Sequence, residues 1–325
     1  MIGRLAAGLI ALGLVVTAPA RAAEQSIQAA LAELQHDDAR LQSIGWRLAV
    51  GSARFCPDAR PAIGLLLQDM QNYTQPGQVR AAAGIRGDIA VQAVAEGSPA
   101  ALAGLLPNEE ILAIDGQKVS TIPDPKPRDH RRLYALLDRI DEGLKRSGMI
   151  LLQVRATDGA VRELLIEGVP ACPGRFVLLT GNAKAEASQG NVFIGERFAD
   201  NGRPGDALGD EEYAAMVAHE LAHLLLRHGA WLDKAGRDPQ MIRQTEREAD
   251  RLAIWLLVNA GFDPEAGPRL MGSWGRRSNS GLRLRSTHDG WRARLELMSQ
   301  EVRRVRTILK ERGAADWSRD FIRAT

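Results

Sequence analysis

Cysteine is nearly absent. Cys56 and Cys172 are the only two in 325 residues, which leaves room for at most one disulfide. Charge of one sign is not in excess either: the formal net charge is +2, and nothing in it resembles the clustered basic footprint that a nucleic-acid partner demands. The 32 Gly and 15 Pro stay below low-complexity levels, and 45% hydrophobic with 25% charged residues is the balance of a globular protein. Beyond the N-terminus no apolar run approaches the ~20 residues that a membrane-spanning helix needs. The length suggests about two domains.

The first residues have their own pattern. Arg4 supplies a positive charge, Leu5 to Ala18 is apolar and uncharged, and Ala18-Pro19-Ala20 and Ala20-Arg21-Ala22 are small-x-small sites. Residues 1–22 therefore read as a cleaved secretory signal. The run is too short for an anchor, and no cysteine follows it to carry a lipid. The expected mature protein is soluble, lacks a transmembrane span and resides in a bacterial periplasm. In that oxidising compartment Cys56 and Cys172 read as one disulfide closing a loop of over 100 residues, a constraint of ~4–5 kcal/mol in the chain-entropy model. Two buried free thiols are the alternative.

The chemistry concentrates in His219-Glu220-Leu221-Ala222-His223, an H-E-x-x-H motif. On a helix, positions i and i+4 share a face, so His219 and His223 can hold one metal ion, with Glu220 beside them to take a proton from water. Asp210-Glu211-Glu212 marks the helix start, and Arg227 and His228 fall in the last turn with Gly229 as the cap. The residues between are apolar on nearly every face, which predicts burial. Buried imidazoles and a carboxylate are costly unless paired or metal-bound. The competing reading is two satisfied core histidines with a buried ion pair. A catalytic zinc needs a third protein ligand and one open position. A third His six residues after the second would stand where Gly229 is. A following helix, Gln244 to Asn259, instead offers Glu246 and Asp250 one turn apart on one face.

Ahead of this stretch, Glu24 to Ser52 carries a helical apolar stripe of Ile27, Leu31, Leu34, Leu41, Ile44 and Leu48 and is expected to pack on its own chain. From Arg60 to Val169 short strands alternate with turns. The run GSPAALAGLLPNEEILAIDG resembles a PDZ domain. That resemblance implies that Ile63-Gly64-Leu65 forms the loop that receives a peptide's terminal carboxylate, with a helix at Arg131–Arg146 as the other wall. Met149–Arg155 and Val161–Ile166 read as a closing hairpin around Asp158-Gly159. The division expected is 23–58 for the N-terminal helix, 59–170 for the PDZ-like unit and 171–325 for the remainder.

The C-terminal part resembles the family-48 gluzincin metallopeptidases, which include the CAAX prenyl proteases and the HtpX-type proteases. The resemblance rests on HELAH, on Glu246-Arg247-Glu248-Ala249-Asp250, on Ala260-Gly261-Phe262-Asp263-Pro264, and on Ser286-Thr287-His288 with Arg294. It implies one zinc per chain held by His219, His223 and Glu246, with Glu220 as general base. It also implies Asp250 orienting a ligand, partnered by Arg294, and His288 near the reacting carbonyl. Many members have Pro after that His; here it is Asp289. The fold class expected is α+β: a mostly helical zincin domain with a small edge sheet, a β-rich PDZ-like domain and an N-terminal helix. Asn191 to Ile194 is expected to be an edge strand that pairs with substrate. The basic run Arg276 to Arg285 reads as a solvated loop. The function implied is an exported zinc endopeptidase acting on protein substrates, including misfolded envelope proteins, whose C-terminal tails the PDZ-like domain would take. The alternative is a non-enzymatic chaperone or adaptor that retains a structural zinc.

Overall fold

The computed structural model describes residues 18–123, 126, 129–199, 208–277 and 288–323. Most of the predicted signal segment, 1–22, lies outside them. Among the described residues no helix is long and apolar enough to cross a membrane.

A 34-residue helix, α1 (Ala18–Gly51), is the spine on which the rest is hung. Its stripe serves two cores. Leu31 joins Met70, Val79 and Ile85 in a small cluster, whereas Leu41, Ile44 and Leu48 belong to the large core with Phe176 and Val217. The helix approaches the second core closely: a Cβ at Gly45 would lie 2.4 Å from the Phe176 ring. Polar cross-links fix the register. Gln35 donates to Asn108 at 2.8 Å, and Gln92 donates to Asp38 at 2.7 Å.

The second unit runs from β1 (Arg60–Ala62) through β2 (Leu65–Asp69), α2 (Pro76–Ala83), β3 (Ile89–Val94), α3 (Pro99–Leu102), β4 (Glu110–Ile114), β5 (Gln117–Lys118), α4 (Arg131–Ser147), β6 (Met149–Arg155), β7 (Val161–Glu167) and β8 (Val169–Ala171). The antiparallel order β2-β3-β4-β6-β7, with β5 on β4, makes one sheet. Onto it α4 lays Leu136, Ile140 and Leu144, spaced four residues apart and therefore on one face. Burying Arg132 and Asp69 is tolerated because they form a bidentate pair at 2.7 and 2.6 Å. β1 pairs with β8 in the register Arg60↔Ala171 and ties the two ends of the unit together.

The remainder holds β9 (Arg175–Leu179), β10 (Ala185–Ser188), β11 (Asn191–Gly195), α5 (Glu196–Ala199), α6 (Asp210–Leu225), α7 (His228–Ala235), α8 (Pro239–Asn259), α9 (Ala266–Arg277), α10 (Trp291–Arg312) and α11 (Trp317–Asp320). The chain is α+β throughout. Asn191–Ile194 is not the edge strand that the sequence suggests. β11 sits in the middle of the order β10-β11-β9, because the turn at Gln189-Gly190 folds β10 back onto its outer side. The boundary of α6 also differs. Arg227 adopts a left-handed backbone (φ 55°), so the helix stops at Leu225, and Gly229 lies inside α7 rather than capping α6. α8 starts before Gln244, since Asp238 caps it by accepting from the N–H groups of Gln240 and Met241 at 2.8 and 3.0 Å and Pro239 opens its first turn. α6 packs against α1, α8, α9 and the small sheet.

Burial pushes the carboxyl of Asp38 up to about 6 against a usual 3.8. A raised folded-state pKa contributes stability below the unfolded value and loses it as pH rises through the folded one. Ionised Asp38 therefore costs about 2–3 kcal/mol above pH 7. The variant Asp38→Asn keeps the acceptor for Gln92. Its unfolding midpoint should exceed the wild type's at pH 8, and the gain should shrink between pH 6 and pH 4. An equal gain at every pH would contradict this.

Candidate metal centre

α6 and α8 lie side by side, and each offers one polar face to the other inside the large core. From α6 come His219 and His223, from α8 Glu246. Nε2 of His219 and Nε2 of His223 are 3.2 Å apart; Glu246 Oε2 lies 3.3 Å from the first and Oε1 3.5 Å from the second. Among the described residues this is the group whose donor atoms converge, all within 4.8 Å of one another. Tetrahedral zinc with ligands at ~2.0–2.1 Å has ligand–ligand edges of ~3.3–3.4 Å. The separation of the two imidazole nitrogens and the nearest approach of Glu246 to each, made through different oxygens, lie close to that figure, and the donor set is one that zinc accepts.

The surroundings set the protonation. Asp250 Oδ1 lies 3.0 Å from Nδ1 of His219, a close charged contact that lacks hydrogen-bond alignment. Asp250 is fully buried and gripped by Arg294 through two bonds of 2.7 Å. Burial alone would lower the pKa of His219, but Asp250 and Glu246 push it up to about 10 without a metal. Burial and the neighbouring His219 press His223 down to about 3, which leaves it neutral. Burial opposes the charge on Glu246, yet His219 and His288 hold it far below the usual carboxylate range. Glu220, next in sequence to His219, is 8% exposed, and burial pushes it up to about 7.

His288 reaches the same group, its Nε2 3.1 Å from Glu246 Oε2. The adjacent Asp289 holds Arg247 of α8 at 2.5 and 3.0 Å, and so pins this segment. Ser286 and Thr287, and the side chains of the basic run 276–285, lie outside the described residues. Sequence reasoning passed over His228, Glu248 and Arg323. His228 is almost wholly buried and touches His223, because the left-handed turn at Arg227 swings it back. Its only signal was a lone His just past the motif.

Cys56 and Cys172 stand together in the large core as free thiols rather than the expected disulfide. A hydrogen bond between them, reinforced by burial, holds the Cys172 thiol above its ordinary range. Ile63, Gly64 and Leu65 line a cavity of about 670 Å³ that continues between α4 and β9. Only glycine suits position 64, where φ is +68° and a Cβ would meet Ser98 at 2.4 Å.

Residues 91–124 match the family model of the PDZ domain, so the chain contains a PDZ unit. One similar solved structure is an HtrA-type protease, AlgW, with a decapeptide. It is 25% identical over 35% of this chain and 30% of that one, less than a third of its length, at a TM-score of 0.25. No curated protein matches the chain.

Asp250 and Arg294 form a buried pair whose partners depend on each other. Breaking such a pair leaves an uncompensated charge and costs ~3–5 kcal/mol. Arg294→Met should lose about that much in chemical denaturation of the metal-free protein. A loss under ~1 kcal/mol, the scale of an exposed pair, would contradict the pairing.

Proposed function

We propose that this chain is a zinc endopeptidase of the gluzincin type, exported to the periplasm through residues 1–22. The observation that carries this reading is the convergence of His219, His223 and Glu246 at separations that suit tetrahedral zinc. Bound there, zinc supplies a Lewis acid for a peptide carbonyl and for water. Glu220, buried beside the ligands with a carboxyl tuned to about 7, takes the proton of the attacking water and hands it to the leaving nitrogen. His288, whose Nε2 stands 3.1 Å from Glu246 Oε2 at the edge of the site, donates to the developing oxyanion when substrate is bound. Asp250 and Arg294 keep His219 oriented.

Substrate binding draws on the sheet. β10 and β9, not β11, are the outer strands of this sheet among the described residues, and β10 packs on α6. Its backbone is placed to pair with an extended peptide. The groove at Ile63-Gly64-Leu65 takes protein tails in the manner of PDZ domains, and unassembled or misfolded envelope proteins are the substrates this favours.

Metal analysis and a casein-hydrolysis assay test the reading together. Protein purified without added zinc should carry one zinc per chain, and chelator should abolish hydrolysis. Glu246→Ala should lose metal. Glu220→Gln should keep metal and lose hydrolysis. His288→Ala should keep metal and lose ~10²–10³ in kcat. Wild-type hydrolysis in Glu220→Gln would overturn the assignment.

A further inference from the structure

Each ligand histidine turns its second nitrogen outward, and the two are held differently. His219 meets Asp250, which Arg294 grips. Among the described residues, Nδ1 of His223 meets no carboxylate directly. Its Nδ1 lies 2.9 Å from Nδ1 of His228, the two rings edge to face with centroids 4.8 Å apart. Nε2 of His228 then lies 3.1 Å from Oε2 of Glu248, and Arg323 closes the line from Nε and Nη2, both at 2.9 Å. Arg323 also donates to the carbonyl of Leu226 at 3.2 Å, at the end of α6. His228 and Glu248 are each 1% exposed.

The direction of every proton along this line follows from its far end. Arg323 only donates, so Glu248 is held as an acceptor. Nε2 of His228 must then carry the hydrogen, which leaves Nδ1 of that ring as a lone pair. The hydrogen between the two rings accordingly sits on Nδ1 of His223, and Nε2 of His223 presents its lone pair to Glu246 and His219. We propose that His228, Glu248 and Arg323 are positioning residues that fix the tautomer and ring orientation of His223 as a metal ligand, so that the C-terminal segment of the chain takes part in holding the metal. This rests on the zinc reading above. The two ligands are thereby backed alike, each by a carboxylate and an arginine, with His228 as the spacer on the His223 side. A buried Glu–Arg–His line is a poor way to gain stability alone, since apolar packing would serve as well. The left-handed Arg227, uncommon for a non-glycine residue, is the local distortion that brings His228 into line.

Zinc affinity, measured by competition with a chromogenic chelator, tests this without reference to hydrolysis. His228→Leu removes the acceptor; His228→Asn keeps one, its Oδ1 standing where Nδ1 was. His228→Leu should bind zinc ~10–100-fold more weakly than wild type, and His228→Asn should recover most of the loss. Arg323→Ala, at a half-exposed position near the chain end, should also weaken zinc binding, and Arg323→Lys should restore part of it. Arg323→Ala strips a partner from buried Glu248 and should also lower the metal-free unfolding midpoint, so zinc affinity is compared where every variant is fully folded. Equal affinity in all variants overturns the proposal, and so does an equal loss in His228→Leu and His228→Asn. A wild-type chain that binds no zinc would overturn the metal reading and this proposal with it. Tight wild-type binding with unaffected variants would overturn this proposal alone.

Discussion

Ionisable groups buried in an apolar core must be compensated, and that constraint organises the C-terminal half of this protein. α6 is apolar on nearly every face, yet it carries Glu220 and His219 into a region where Asp250 is 0% exposed. Taking such groups out of water costs several kcal/mol each unless they find partners. Partners are supplied from sequence-distant helices: Arg294 from α10 to Asp250 of α8, Arg251 of α8 to Glu301 of α10, and Arg323 from the chain end to Glu248. The order of the helices follows from this pairing as much as from packing. What the arrangement leaves over is a cluster of two imidazoles and one carboxylate, with nearest contacts of 3.2 to 3.5 Å.

Part of this was legible in the residues. The i, i+4 spacing of the two histidines and the four-residue step from Glu246 to Asp250 specify faces of helices, and helical faces survive any tertiary context. The hairpin around Asp158-Gly159 and the α4 stripe were readable for the same local reason. Other features had no local signature. Nothing in the residues around Arg227 announces a left-handed backbone, so His228 read as a solvated last-turn residue instead of a buried contact of His223. β10 is only four residues long, Ala185 to Ser188, and alanine is its only apolar residue, so its alternation is faint. The centre of the sheet was therefore mistaken for its edge. Arg323 finds Glu248 across 75 positions, a distance that periodicity cannot see.

α1 explains how the PDZ unit and the C-terminal helical unit are kept in register. One end of its stripe is buried with Met70 and Val79, the other with Phe176, and Cys172 donates its backbone N–H to the carbonyl of Ala49 at 3.0 Å. Arg175 of β9 adds a bridge to Asp138 and Asp141 of α4, at 2.6 Å each. The cavity between α4 and β9 is thus bounded by both units.

Zinc K-edge absorption fine structure, on protein purified without added metal, tests the centre most directly. The account predicts a first shell of nitrogen and oxygen at ~2.0–2.1 Å, with the outer-shell signature of two imidazoles and no sulfur. A sulfur shell at ~2.3 Å, or protein that holds no zinc at all, would contradict it.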